Sequence, residues 1–339
     1  MTLSGRPLLD TRPDHKLFVD RVDEIGRVRA ALDQGLNALV VGERGGGKTS
    51  LVRALMYQSR QQMDPQGIVR PRLIYVRGSG AVSATELLTR AAHALGEYQG
   101  DPPEGGWPDT STGLIAELGE RAQRGPGVIV LDDAPPDAGN ALFGALRDEL
   151  WSIDLRWLAT VTTADRGTLL RPPADAFFEA QVNLEPFLLD AAMEILRRRM
   201  GGKKVDDRFL EEAAAIGSGN PRRLMDVARE FEGGTTEWKE FAAAAHERLQ
   251  ALLKVGRPAH MLAAELEALG GASASDDRLL SRMGWTRARA VQVLGELEKA
   301  GLVTTSSVKT GQGRPRKIYK LISPTQFRQQ KLRTQGRSV

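Results

Sequence analysis

The chain has 339 residues, 41% of them hydrophobic and 27% charged, with a net charge of +4, four histidines and no cysteine. That length calls for two or three cores rather than one, and the missing cysteine excludes disulfides, thiolate metal sites and cysteine nucleophiles. No apolar run approaches the roughly 18 residues of a membrane span, and residues 1–10 lack a signal peptide's hydrophobic segment, so a cytoplasmic protein with no membrane partner is expected.

In chain order, short β-rich runs at 37–41, 72–76, 128–131, 157–161 and 180–184 are separated, except for the last two, by helical patterns at 48–60, 84–95 and 112–124. Near-continuous apolar strands between helices predict a parallel sheet covered on both faces. The first strand runs straight into Gly42, Gly45, Gly46, Gly47, Lys48 and Thr49, which spell G-x-x-x-x-G-K-T at the start of a helix that continues with Ser50. This is the pattern of a phosphate-binding P-loop: the glycines let backbone amides curl around the β-phosphate and the new helix turns its positive end to the anion. Lys48 is then expected to reach the β- and γ-phosphates and Thr49 to ligate Mg²⁺, which makes ATP and Mg²⁺ the expected cofactors. A Gly-rich turn carrying a solvated lysine is the plainer alternative.

Residues 96–112 form a Gly/Pro-rich stretch that predicts a long loop. The next buried strand, 128–131, ends in Asp132 and Asp133. Opposite a phosphate loop, Asp132 would hold Mg²⁺ through water and Asp133 would act as general base on the attacking water. Capping of the helix after Pro135 and Pro136 is the alternative use of these two acids.

These motifs resemble AAA+ ATPases, and within them the origin-recognition type of replication initiator and the STAND-like switch ATPases, over roughly residues 17–253. Phe18, Val19, Asp20 and Arg21 are similar to that group's N-terminal box beside the adenine, with Asp20 in place of its usual glycine, so the resemblance assigns Phe18, Val19 and Arg21 to the nucleotide. It places sensor 1 at Thr162 or Thr163, with Thr163 as the catalytic candidate, because Ala164 stands where many members have asparagine. Gly219, Asn220, Pro221 and Arg222 are similar to the family's second sensor, which implies that Asn220 caps a helix, Pro221 occupies its first turn, and Arg222 can point at the γ-phosphate. Where most relatives carry glutamate this chain has Asp133, which implies slow turnover, and only Arg166 and Arg171 stand near the position of the arginine that completes a neighbour's site.

After Pro186 the pattern turns helical, at 190–200, 207–216, 221–231 and 237–253. Three further helical patterns (258–269, 276–283, 287–300) precede two β-rich runs, 302–306 and 317–322, around a basic turn. Helix-helix-helix-strand-wing-strand is the order of a winged helix-turn-helix. Thr286 would cap the third helix, Ala290, Val291, Leu294 and Leu297 would line its core face, and Arg287, Arg289 and Gln292 would meet base edges. Arg314 and Arg316, with Lys317, would form a basic hook at the wing. The charge agrees: residues 301–339 carry nine lysines and arginines and no acid. A protein-docking winged helix and a solvated basic tail are the alternatives.

The expected organisation is an N-terminal extension (1–16), an α/β P-loop AAA+ core (17–186), a helical lid (187–255), a winged-helix DNA-binding domain (256–322) and a basic tail (323–339). The expected protein is an ATP-binding, slowly ATP-hydrolysing switch on double-stranded DNA, nucleoid-associated, of the replication-initiator or helicase-loader kind. Self-association and a protein effector (helicase, nuclease or transposase) are its candidate partners. A STAND-like transcription regulator, or an accessory ATPase of a mobile-element or phage-defence system, is the alternative.

Overall fold

A computed structural model describes residues 5–61, 72–99, 106–125, 127–201, 205–229, 235–308 and 316–335. The chain divides into two compact units, Met1–Arg229 and Glu230–Val339.

In the first unit, α1 (Arg12–Lys16) and α2 (Val22–Asp33) precede β1 (Ala38–Gly42), α3 (Lys48–Gln61), β2 (Arg72–Arg77), α4 (Ala84–Gln99), α5 (Ser111–Ala122) and β3 (Gly127–Asp132). There follow α6 (Pro136–Asn140), a π-helical turn (Ala141–Ala145), α7 (Arg147–Trp151), β4 (Leu155–Thr162), α8 (Arg166–Leu169), a 3₁₀ turn (Ala174–Phe177) and β5 (Ala180–Leu184). The unit closes with α9 (Leu189–Arg199), α10 (Asp207–Gly217) and α11 (Pro221–Arg229). All five strands run parallel in the order β2-β3-β4-β1-β5, so β4 separates the strand leading into the phosphate loop from the strand ending in the two acids.

Side chains alternate across the sheet. Leu39, Val41, Ile129, Leu131, Trp157, Ala159 and Val161 pack on one face with α4, α5 and the aromatic cluster of Phe143, Phe177 and Phe178. Ala38, Val40, Val128, Val130, Leu158 and Val182 pack on the other with α2 and α3. Burial on both faces explains why the strands read as continuous apolar runs. The loop predicted from residue 96 starts later than expected: α4 continues through Gly96 to Gln99 because Trp107 closes over that glycine, where a Cβ would lie 2.6 Å from the indole. The same indole packs on His93 and on Arg121, which is buried and paired to Glu117.

The second unit comprises α12 (Thr235–Val255), α13 (Arg257–Leu269), α14 (Asp277–Met283), α15 (Arg287–Lys299), an antiparallel hairpin of β6 (Val303–Val308) and β7 (Arg316–Leu321), and α16 (Pro324–Gln335). Its core holds Leu252, Leu262, Leu266, Leu279, Val293, Leu294, Leu297, Leu302, Tyr319, Ile322 and Phe327. Three expectations change here. The helix assigned to the lid after residue 235 packs on α13, α15 and α16, because Leu252 belongs to this core. The basic tail contains a helix: Phe327 is buried and Lys331 reaches Glu247 at 3.1 Å, so apolar anchoring outweighs the tail's charge. On α15 the buried face is Ala290, Val293, Leu294 and Leu297, whereas Val291 is 49% exposed. No helix among the described residues is long and apolar enough to cross a membrane.

Candidate functional site

The loop between β1 and α3 is built around backbone that only glycine adopts cheaply: Gly45 has φ +82° and Gly47 φ +99°. Gly46 N–H donates to the Glu43 carbonyl at 3.0 Å, closing the turn, and Leu51 N–H to that of Gly47 at 2.9 Å, starting α3. A Cβ on Gly45 would stand 2.6 Å from Cβ of Arg222 and 2.8 Å from Oδ1 of Asn220, so the loop lies directly against the first turn of α11. Asn220 joins the two elements. Its amide donates to the Arg44 carbonyl at 3.1 Å, while its Oδ1 accepts from the N–H groups of Arg222 (3.1 Å) and Arg223 (3.4 Å), capping α11 as the sequence predicts.

Lys48 is buried at the start of α3 and donates to the carbonyls of Gly42 and Glu43, both at 2.9 Å. Burial pushes its ammonium down to about 8; nearby Asp133 and Asp132 oppose the shift and Arg222 adds to it. Between pH 8 and the ordinary value of 10.5 the unfolded chain holds a proton that the folded chain has lost, so raising pH through that window favours folding. The cost of the buried cation, up to about 3 kcal/mol, is fully present below pH 8. Nucleotide-free Lys48→Met protein should therefore resist guanidinium unfolding better than wild type at pH 7, with the advantage shrinking as pH rises from 8 toward 10.5. A constant difference across that range would show that Lys48 keeps its proton throughout.

Asp132, at the end of β3, is 3% exposed and has a donor on each carboxylate oxygen. The Thr160 hydroxyl on β4 donates to Oδ1 at 2.8 Å, and the Tyr75 phenol on β2 donates to Oδ2 at 2.9 Å. Burial, reinforced by Asp132, pushes the Tyr75 phenol up to about 12, so it stays a donor at working pH. The Arg53 guanidinium lies 3.4 Å over the Tyr75 ring. Asp133 is exposed, has φ +59°, and donates its N–H to the Thr160 hydroxyl at 2.8 Å. Neither acid caps a helix, since α6 begins after Pro135.

Around these groups lies a cavity of about 560 Å³. Of the predicted residues, Gly45, Gly47, Lys48, Thr49, Ser50, Asp132, Asp133 and Arg222 line it, as does Thr162. Gly42 and Gly46 are not among the lining residues; the Gly42 carbonyl accepts from Lys48 and the Gly46 N–H closes the turn. Phe18, Val19, Arg21 and Thr163 are not among the lining residues. Phe18 packs on the α2–α3 side of the sheet and Val19 is buried. Arg21 is spent on fold closure, paired with Glu24 at 2.7 Å, donating to the Glu185 carbonyl and lying 3.9 Å over the Phe187 ring. Thr163 is exposed; it is Thr162 that faces the cavity, its hydroxyl donating to Asp165 at 2.6 Å. Arg166 reaches Gln181 and Arg171 reaches Asp137, both at 2.8 Å on the surface.

Several lining residues escaped the motif reading. Residues 5–9 cross the mouth of the cavity, held by Leu8 N–H on the Ser50 hydroxyl (3.2 Å) and by the Arg6–Asp14 pair. Arg6 holds the Asp14 carboxyl below the ordinary carboxylate range, with Leu9 N–H assisting. Nothing local in residues 5–9 signals this. Thr160 did leave a signal: it is the one hydroxyl in the apolar stretch 157–161. The lining carries Arg6, Arg44, Lys48, Arg53, Arg77, Arg199 and Arg222 against two acids, an excess of positive charge suited to a polyphosphate. The donor set also fits Mg²⁺, a hard ion that takes one or two oxygen ligands from protein and the rest from phosphate and water. Among the described residues no cluster of three or more His, Asp or Glu could hold a metal by itself.

In the second unit Arg287, Arg289 and Gln292 are exposed near the start of α15, which Thr286 caps. Arg289 donates to Gln292 at 2.8 Å, and Gln292 to Glu296 at 3.0 Å. Arg316 is exposed on β7; Lys317 is paired with Glu298 at 2.7 Å; Arg314 lies outside the described residues.

Residues 32–152 match the family described as an AAA domain. The ORC1 protein of Aeropyrum pernix, solved in complex with DNA, is similar in fold at a TM-score of 0.53 and 19% identity, covering 92% of each chain. A Walker-type ATPase of Pyrococcus abyssi reaches 0.56 at 17% identity over 97% of this chain and all of that one (100%). Cdc6p of Pyrobaculum aerophilum reaches 0.50 at 15% identity, over 91% and 93%. No characterised protein matches by sequence. At these identities the likeness is one of fold: a parallel-sheet α/β P-loop NTPase with additional helices in the C-terminal region.

Proposed function

We propose that the chain is an ATP-binding, slowly hydrolysing switch protein that binds double-stranded DNA in the manner of a replication initiator or helicase loader. The observation that carries this reading is that Lys48, Thr49, Asp132, Asp133 and Arg222, far apart in sequence, line one cavity at the C-terminal edge of the sheet. Lys48 and the α3 N-terminus would take the phosphates, with Pro7, Leu8, Pro221 and Met225 offering apolar surface to the base. Thr49 and Asp132 would hold Mg²⁺, which supplies charge neutralisation at the phosphate oxygens when bound. Asp133 would accept a proton from the attacking water. Arg222 would read the γ-phosphate, and Asn220, bonded to both the phosphate loop and α11, would pass a change in the loop to that helix.

The DNA half of the reading rests on α15 and the β6–β7 hairpin, whose order and register support a winged helix with Arg287, Arg289, Gln292 and Arg316 on the outside. The fold relative from Aeropyrum pernix was itself solved with DNA. Lys317 joins the duplex contact only by exchanging Glu298 for phosphate.

The test is duplex affinity by fluorescence anisotropy across a salt series, with and without ATP. Each lost phosphate contact lowers the log-log salt slope by about 0.9, so Arg316→Ala combined with Lys317→Ala should flatten it by up to about 1.8, whereas Arg287→Ala, at a position set to meet base edges, should relax sequence preference. An unchanged slope rejects this face. By linkage, DNA must change ATP affinity by the factor by which ATP changes DNA affinity, and independence of the two sinks the switch.

A further inference from the structure

We propose that Tyr75 and Thr160 are positioning residues that set the two acids of β3 separately, holding Asp132 as a fixed metal-binding carboxylate and turning Asp133 into the same cavity. The proposal rests on the ATPase reading above.

On a strand that simply continued, Asp132 and Asp133 would project to opposite faces of the sheet. Asp132 shares the face of Val128 and Val130, toward α3, and Asp133 would fall on the far side with Ile129 and Leu131. Yet both line the one cavity. The chain achieves this by leaving the strand at Asp133, whose φ of +59° lies in the left-handed region, unfavourable for a residue with a side chain. What holds it there is Thr160: its hydroxyl accepts from Asp133 N–H and its carbonyl accepts from Ala134 N–H at 2.9 Å. On the other flank Gly78 N–H donates to the Asp132 carbonyl at 2.7 Å.

The same hydroxyl decides the state of Asp132. A threonine hydroxyl has one proton. Since Asp133 N–H points at the oxygen, the proton is committed to Asp132 Oδ1. Tyr75 supplies the second donor, to Oδ2, from the strand on the opposite side of β3. One donor on each oxygen, from β4 and β2, fixes the plane of the carboxylate and leaves a lone pair on each oxygen for a metal shell. Thr160 is 0% exposed, so no water competes for its hydroxyl.

The two side chains therefore carry separable duties. Tyr75 acts only on Asp132, and Thr160 acts on both acids. The experiment uses the full chain with Mn²⁺ and a non-hydrolysable ATP analogue, reading free Mn²⁺ by electron paramagnetic resonance, alongside kcat and KM for ATP. Tyr75→Phe is expected to weaken Mn²⁺ about tenfold, within the range for lost outer-shell partners, with KM for ATP unchanged. Thr160→Val is expected to weaken Mn²⁺ by a similar factor and also to lower kcat about 10²-fold. Thr160→Ser, which keeps the hydroxyl, should restore both.

Wild type that holds no Mn²⁺ with nucleotide defeats the ATPase reading itself. Wild type that binds, with the Phe and Val variants equal to it in Mn²⁺ affinity and kcat, overturns the positioning assignment whatever their melting temperatures. So does a Ser variant as impaired as Val, because the hydroxyl would then not be the acting group.

Discussion

An Asp133→Asn protein should bind ATP within about threefold of wild type while hydrolysing it about 10²- to 10⁴-fold more slowly, the range by which a positioned general base accelerates a reaction. Asparagine is the right probe. It keeps the shape of the side chain, tolerates the left-handed backbone at least as well as aspartate, and retains the N–H that meets Thr160. What is lost is the negative charge of the carboxylate and, with it, the ability to take a proton. Phosphate release and equilibrium nucleotide binding on the same preparation check it, and an Asn variant that turns over at the wild-type rate removes Asp133 from the chemistry. The left-handed φ also favours a short acid at position 133. Short Asp and Asn side chains enter that region because they hydrogen-bond locally, and a longer one pays more.

Lys48→Ala should weaken ATP binding at least about 100-fold, as calorimetric titration would show. Its ammonium is buried at the mouth of α3 and would make charge-assisted bonds to two phosphates, each worth about 1.5–3 kcal/mol. Those bonds would replace the ones it now makes to the Gly42 and Glu43 carbonyls, and the charge of the polyanion would offset the burial that depresses its proton affinity. The variant should lose any effect of ATP on DNA affinity while keeping nucleotide-independent DNA binding. Undiminished ATP affinity would mean that the loop is not the phosphate site.

The three central strands β1, β3 and β4 were legible because both of their faces are buried, and burial leaves a continuous apolar signature, whereas the edge strands β2 and β5 alternate buried and exposed positions. The caps at Asn220 and Thr286 were legible because capping is a local exchange between a side chain and the next turn. Val291 and Val293 could not be told apart by helical period alone, since which of two adjacent flanks is covered depends on what packs there. The helix α16 was hidden because a basic run reads as solvated until Phe327 finds its core. Arg21 carried a motif's name, but its guanidinium closes on Glu24 nearby and on Glu185 and Phe187, both more than 160 residues away in the chain.

By itself the sequence determined the fold class, the phosphate loop, the acids at the end of β3 and the arginine of α11, because each depends on backbone conformation or burial within a few residues. The tertiary structure decided which side chains meet. The strand order placed β4 between the loop and the acids, and that one fact brought Thr160 against Asp132 and Asp133 and set Thr162 rather than Thr163 on the cavity. Residues 5–9 and Arg53 joined the site in the same way. Hydrogen bonds between strands are non-local, and no spacing along the chain encodes them.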